Sequence, residues 1–309
     1  MPVSLAKAIT KAASRQTYYT ISLLVDRGRV EDAYRAYAYF RWVDDVLDAE
    51  SADSDAVHRR EAFLDRQKAL LDACLMGSPP GDVDARERML VELVRHDRSG
   101  DVGLISYLRN MMLVMDFDVR RRGHLVSGAD LDQYTRWLAL AVSGAMRYFI
   151  GNGARAPDDD TRYMAVSGAH VLHMLRDTFQ DVSAGYFNIP REVLEAGSIG
   201  PGDVQSAAYR AWVAKRVGLA RAHLDAGAAY FRSVESLRHR LAGLAYIARF
   251  EWLIETLELD DFTVRPRYVA PRRPGGDLRM AMTLGRRMVM PRARSASPVP
   301  VGARQGRVT

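Results

Sequence analysis

Two short segments of the chain set acids beside a cation at helical spacing. In Tyr37-Ala-Tyr-Phe-Arg41-Trp-Val-Asp44-Asp45-Val-Leu-Asp48, and again in Leu175-Arg176-Asp177-Thr-Phe-Gln-Asp181, two aspartates stand four residues apart with an arginine just upstream. On a helix that spacing puts both carboxylates on one face, a turn apart. The spacing alone is a weak signal. With 27 aspartates in 309 residues, about two such pairs arise by chance, and a third, Asp97 with Asp101, does occur. Setting separates them. Large apolar residues flank the first two pairs (Tyr37, Phe40, Val43 and Leu47; Val171, Leu172, Leu175 and Phe179), whereas Asp97 and Asp101 lie in a Gly/Ser-containing stretch that reads as a solvated loop. Acids are seldom fully buried unless paired or coordinated. Two such helices facing each other bring four carboxylates around one space, where cations relieve their repulsion. The plainer alternative is two solvated helix faces with local Asp–Arg pairs.

Magnesium is the cation that suits this set. It prefers carboxylate and water oxygens and commonly bridges protein to substrate phosphates. A carboxylate cage with arginines nearby is a diphosphate site. Metal and guanidinium stabilise a leaving diphosphate, and an apolar helical pocket shelters the remaining carbocation from water.

The elements that would position these groups are helices. Apolar residues recur at helical period in Val30–Leu47, Ala62–Leu75, Arg88–Val94, Leu104–Val119, Leu131–Ile150, Arg162–Phe179, Ala207–Ser233 and Leu237–Leu257. Breakers such as Gly77-Ser-Pro-Pro-Gly81 and Gly151-Asn-Gly153 separate them, and no alternation long enough for a sheet is present. The reading is an all-α fold of some eight to ten helices, residues 1–264 forming a single domain. No internal repeat is found, which disfavours a solenoid.

Composition narrows the classes further. With 48 % hydrophobic and 27 % charged residues the chain reads as an ordinary globular protein. One cysteine, Cys74, precludes an internal disulfide. No apolar run is long enough to span a membrane, and residues 1–16 lack the apolar core of a secretion signal. The expected location is cytoplasmic, or peripheral to a membrane. The whole chain carries +6, and residues from Arg265 onward carry +10, so residues 1–264 carry −4. That balance argues against nucleic-acid binding by the body. Residues 265–309, rich in Pro, Arg and Ser, read as a flexible basic tail. Within it Leu278–Met290 has the makings of a basic amphipathic helix for an anionic membrane surface.

At the two aspartate motifs, the chain resembles the squalene/phytoene synthase family. The resemblance extends to Leu23-Leu24, to Tyr134–Gly144, to Gly185–Pro190 and to Tyr246–Leu257, and covers roughly residues 14–265. It implies an isoprenoid-synthase-type helical bundle with a central cavity between two Asp-rich helices, a cluster of two or three Mg²⁺ ions, and ionisation of an allylic prenyl diphosphate. By position, Asp44, Asp48, Asp177 and Asp181, with Asp45 adjacent, match metal-binding aspartates. Tyr37, Arg41 and Arg176 match residues that hold diphosphate. Ala139, Val142 and Ser143 match the small residues lining the prenyl pocket, and Ser14 matches a substrate-side serine.

The departures from the family pattern shape the functional expectation. His170-x-x-His173 stands where the family has Gln-x-x-Asn, and Gly185-Tyr186-Phe187-Asn188-Ile189-Pro190 stands where it has Gly-Arg-x-Tyr-Leu-Pro. Gln16 replaces a second serine and Ser143 a pocket glycine. An arginine and a tyrosine are thereby lost around a second diphosphate, while Tyr186, Phe187 and two histidines offer a flatter, more neutral wall. The leading expectation is a prenyltransferase of secondary metabolism that transfers the prenyl group to a small aromatic acceptor, with His173 or His170 receiving the proton. The alternative is head-to-head condensation with a second prenyl diphosphate, giving a squalene-, presqualene- or phytoene-type product. A third reading, a non-catalytic lipid- or partner-binding relative, gives no reason to keep four mutually repelling acids.

Overall fold

The computed structural model describes residues 2–49, 55–97 and 100–268. Among them are thirteen α-helices and no strand. In chain order the helices are α1 (Pro2–Ala13), α2 (Arg15–Leu24), α3 (Val30–Asp48), α4 (Ala56–Leu75), α5 (Glu87–His96), α6 (Val102–Arg121), α7 (Gly128–Phe149), α8 (Thr161–Arg176), α9 (Thr178–Ala184), α10 (Arg191–Gly197), α11 (Ala207–Ser233), α12 (Leu237–Ala248) and α13 (Glu251–Leu259). The count exceeds expectation because α1, α2 and α10 lie outside the periodic stretches and two of those stretches are broken inside. One break falls at Asp177, between α8 and α9, so the second aspartate pair does not lie on one continuous helix. The spacing survives because the Asp181 N–H still bonds to the Asp177 carbonyl at 2.8 Å. The other break falls at Arg249–Phe250, where the buried Phe250 turns its N–H to the Ile247 carbonyl at 3.0 Å.

Local chemistry explains where the site helices begin. Ser127 accepts from the Asp130 N–H and Asp130 from the Ser127 N–H, a capping box that starts α7. Ser14 accepts from the Thr17 N–H at 3.1 Å and starts α2. Gly185 ends α9 at φ +86°, a left-handed conformation that suits glycine, and its carbonyl receives the Gly123 N–H at 2.8 Å. That bond ties the end of the second motif to the turn after α6.

Two apolar cores flank the site. The first gathers α3 with α4, α5 and α6, around Tyr39, Phe40, Val43, Leu90, Leu93 and Leu108. The second gathers α8 with α11, α12 and α13, around Leu172, Leu175, Val213, Leu224, Ile247 and Leu257. Helix α3 is buried on more than one face, as a central helix must be. Helices α6 and α7 cross at bare backbone: a side chain at Gly144 would lie 2.6 Å from the Gly103 carbonyl oxygen. This close crossing brings the Asp118 face of α6 against Tyr134 of α7.

No helix among the described residues is long and apolar enough to cross a membrane. The candidate amphipathic segment Leu278–Met290 lies outside the described residues, as does all of the tail beyond Tyr268. Val264 is buried in the second core, and the Tyr268 hydroxyl accepts the Arg265 N–H at 3.0 Å. A chain ending at Tyr268 is therefore expected to keep one cooperative transition in scanning calorimetry, within about 3 °C of the full chain. Loss of that transition would move the domain boundary into the tail.

Candidate active site

Helix α3 supplies one stripe of the site. Tyr37, Arg41, Asp44 and Asp48 recur at steps of four, three and four residues, so they share the face turned to the cavities. Arg41 bonds Asp44 at 3.0 Å and also pairs with Asp45. Asp45 is exposed and lines neither cavity described below.

A small cavity of about 150 Å³ collects the acids. Asp44, Asp48, Asp118 and Asp181 line it, together with Arg121, Tyr134 and Tyr186. Tyr134 donates to Asp118 Oδ2 at 2.9 Å, and Arg121 Nε donates to Asp118 Oδ1 at 2.7 Å. Arg121 Nη1 donates to Asn188 Oδ1 at 2.8 Å, and Asn188 Nδ2 donates to Asp181 Oδ2 at 2.6 Å. One polar chain thus runs from α7 through α6 to the second aspartate motif. Asp118 and Arg121 are the parts that sequence reading missed. Their only signal there is an acid and a base three apart on a helix that also carries Arg109, Asp116 and Arg120, which is how surface pairs look.

Crowding shows in the acidities. Burial, then Asp48, pushes the Asp44 carboxyl up to about 6, against the opposing pull of Arg41. Burial, then Asp177, pushes Asp181 up to about 6. Burial raises Asp118 as well, with Arg121 and Tyr134 opposing. Acids this reluctant to ionise side by side are relieved by a cation. Among the described residues, no three His, Cys, Asp or Glu side chains converge into a ready-made metal cage. The donor chemistry still fits magnesium, which keeps several waters and takes only one or two carboxylates together with substrate phosphate.

A folded-state pKa raised above the unfolded value makes ionisation destabilising. The loss sets in as pH rises from about 4 through about 6. Asp44→Asn removes that cost. In metal-free protein the variant is expected to melt with wild type at about pH 3, below the unfolded carboxylate pKa, and about 2–4 °C above it at pH 7. This corresponds to about 1 kcal/mol once solvent screening of a carboxylate 37 % exposed is allowed for. A variant less stable than wild type at pH 7 would mean that the Arg41 pair outweighs the crowding.

A larger cavity of about 610 Å³ adjoins the first and shares Asp44, Asp118, Met115 and Tyr134 with it. Its walls are mostly apolar, with Phe40, Tyr107, Met111, Leu138, Met146 and Phe149 among them. The volume lies within the roughly 300–1,000 Å³ usual for small-molecule sites. Helices α2, α3, α6, α7 and α12 form the walls, and α8 forms none of them. The cavity therefore lies beside α3, with the second motif reaching the site through Asp181 on α9.

The other expected site residues fall around this centre. Asp177 lines neither cavity and is held by Arg176 in two bonds of 2.8 and 2.6 Å. Val142 lines the large cavity, but Ala139 and Ser143 do not. The lining face of α7 runs through Leu138, Val142, Ala145 and Phe149, and one residue of phase, about 100°, turns Ala139 and Ser143 away. Ser143 bonds the Arg162 carbonyl at 3.1 Å instead. Ser14 caps α2 and lines neither cavity, whereas Gln16, Thr17 and Thr20 line the large one.

The aromatic wall expected for a neutral acceptor does not form. Tyr186 lies 4.9 Å from the Arg121 guanidinium and donates to Asp48 at 3.2 Å. Asn188 is buried and engaged at both ends of its amide. Phe187 lines neither cavity. Arg121 from α6 thus packs over Tyr186, the motif position that lacks an arginine. The histidines are also poorly suited to the base role. His170 is buried, bonds the Thr135 hydroxyl at 3.1 Å and is pushed down to about 3 by burial. His173 packs its ring edge on Phe250 at 5.0 Å and is pushed down to about 4 by burial and then Arg176. Neither lines a cavity.

Residues 10–274 match the family model described as Squalene/phytoene synthase. No curated protein sequence matches the chain. Among solved structures, squalene synthase HpnC from Alicyclobacillus acidocaldarius is similar with a TM-score of 0.68 at 20 % identity, over 85 % of this chain and 95 % of that one. A dehydrosqualene synthase in complex with a ligand is similar with a TM-score of 0.66 at 14 % identity, over 93 % of this chain and 95 % of that one. TcSQS in complex with a ligand has a TM-score of 0.63 at 18 % identity, over 96 % of this chain and 94 % of that one. At these identities the likeness is one of fold.

Proposed function

The chain belongs to the squalene/phytoene synthase family, and we propose that it condenses two allylic prenyl diphosphates head to head in a magnesium-dependent reaction. The observation that carries this reading is the junction of the two cavities. A four-carboxylate pocket opens, through Asp44 and Asp118, onto an apolar cavity of about 610 Å³. The expectation of an aromatic acceptor gives way, because its supposed wall is spent: Tyr186 and Asn188 serve Asp48, Arg121 and Asp181. The structural relatives, among them a squalene synthase and a dehydrosqualene synthase, favour the two-donor reading.

Asp44, Asp48 and Asp181, with Asp177 at the edge, are the residues that would hold magnesium. When bound there, the metal neutralises the diphosphate and stabilises it as a leaving group. The chain's own residues do the rest. Arg41 and Arg121 hold and orient the carboxylates. The apolar walls exclude water, so the allylic cation left when the C1–O bond breaks is not quenched. Phe40, Tyr107, Tyr134 and Phe149 line that cavity, and aromatic rings attract cations through their faces. The π electrons of the second donor's double bond attack C1, and the second unit then loses a proton to the released diphosphate. Diphosphate release should require Mg²⁺ and an allylic diphosphate alone, and should fall to background with excess chelator. Release that depends on an added aromatic acceptor would contradict the reading.

A further inference from the structure

The arginines around the two cavities are not equivalent. Arg41 is paired with Asp44 and Asp45, Arg121 with Asp118, and Arg176 with Asp177. Arg249, at the break between α12 and α13, is different. It lines the large cavity, and no ion pair holds it among the described residues. Its neighbours are the rings of Tyr246 and Phe250, each 5.7 Å from the guanidinium. Burial lowers its pKa, the Tyr246 hydroxyl opposes that, and another cation, Arg176, adds to the lowering. A partly buried guanidinium with no acid beside it is costly unless an anion arrives. The same wall of the cavity carries the polar residues Gln16, Thr17 and Thr20 of α2, a helix that touches α12.

We propose that Arg249 is a diphosphate-binding residue for the second donor, the one whose double bond attacks and whose diphosphate lies outside the four-carboxylate pocket. The proposal rests on the two-donor reading above. The paired arginines already balance protein carboxylates, so Arg249 is the cation with charge to spare for a second anion. Its place at the C-terminal end of α12 sets that anion on a wall of the large cavity that the acids do not share. The prenyl chains of both donors would then lie in the one apolar space, with the diphosphates held by different residues.

The test is calorimetric titration, with saturating Mg²⁺, of a non-ionisable S-thiolo analogue of farnesyl diphosphate. Wild type is expected to bind two equivalents. Arg249→Met, which keeps apolar contact with Tyr246 and Phe250, should retain the tighter site and weaken the other by about 10–100-fold, the loss of a charged hydrogen bond. Arg249→Lys should restore most of it. Two undiminished sites in Arg249→Met would overturn the assignment and leave the two-donor reading standing. Loss of both sites would also overturn it, as would a fold lost in Arg249→Met but kept in Arg249→Lys with two weakened sites. A single site in wild type would overturn the two-donor reading, and this proposal with it.

Discussion

Replacing Asp44, Asp48 or Asp181 by alanine is expected to lower turnover by about 10²–10³-fold each, the scale of losing one group that stabilises a developing anion. The three line one cavity, and on the proposed reading each would help fix the charge that meets the leaving diphosphate. Asp177→Ala belongs in the series. It frees Arg176 and removes the neighbour that acts on Asp181, so a comparable loss is expected. The fold should survive, since one of several crowded acids is removed. Circular dichroism and the thermal transition check that. Asp97→Ala is the control. Its carboxylate accepts the Asp101 N–H at 2.7 Å at the start of α6 and lines neither cavity, so turnover should stay near wild type. Wild-type turnover at saturating Mg²⁺ in any two of the four variants would remove the acidic pocket from the chemistry.

Much of the fold is legible in the sequence because the helices bury apolar faces at a regular period. The stretch Ala207–Ser233 is read to the residue. Breaks inside a periodic stretch are not legible. Nothing in Arg176-Asp177-Thr178 marks the end of α8; the turn is made by Thr178, whose hydroxyl bonds the carbonyls of Met174 and Leu175, both at 3.0 Å. The site is half legible. Asp44, Asp48 and Asp181 are marked by spacing and setting, and they meet. Asp118, Arg121 and Arg249 reach the site through tertiary packing, from helices whose local pattern does not distinguish them from surface residues. The same cause misleads the reading of Tyr186. Sequence shows an aromatic residue where an arginine is lost, but not that Arg121, from a different helix, packs over it. Ala139 and Ser143 miss the cavity by one residue of helical phase, a precision that periodicity does not supply.

The second large effect concerns what the enzyme consumes. If two allylic diphosphates are condensed, one prenyl diphosphate with Mg²⁺ must suffice, and two donor molecules must disappear for each product. On the two-donor proposal the acidic pocket would handle one ionisation, and the large cavity would hold the partner chain. No third reagent is required for carbon–carbon bond formation. Products without acceptor, and their absence in the aspartate variants, would follow together. The most direct measurement is mass spectrometry of the products formed from ten-, fifteen- or twenty-carbon allylic diphosphates, each supplied as sole organic substrate. The expected result is a product carrying twice the carbon number of the donor, for example thirty carbons from farnesyl diphosphate. Prenyl alcohol alone, or prenylated product only when an aromatic acceptor is added, would contradict it.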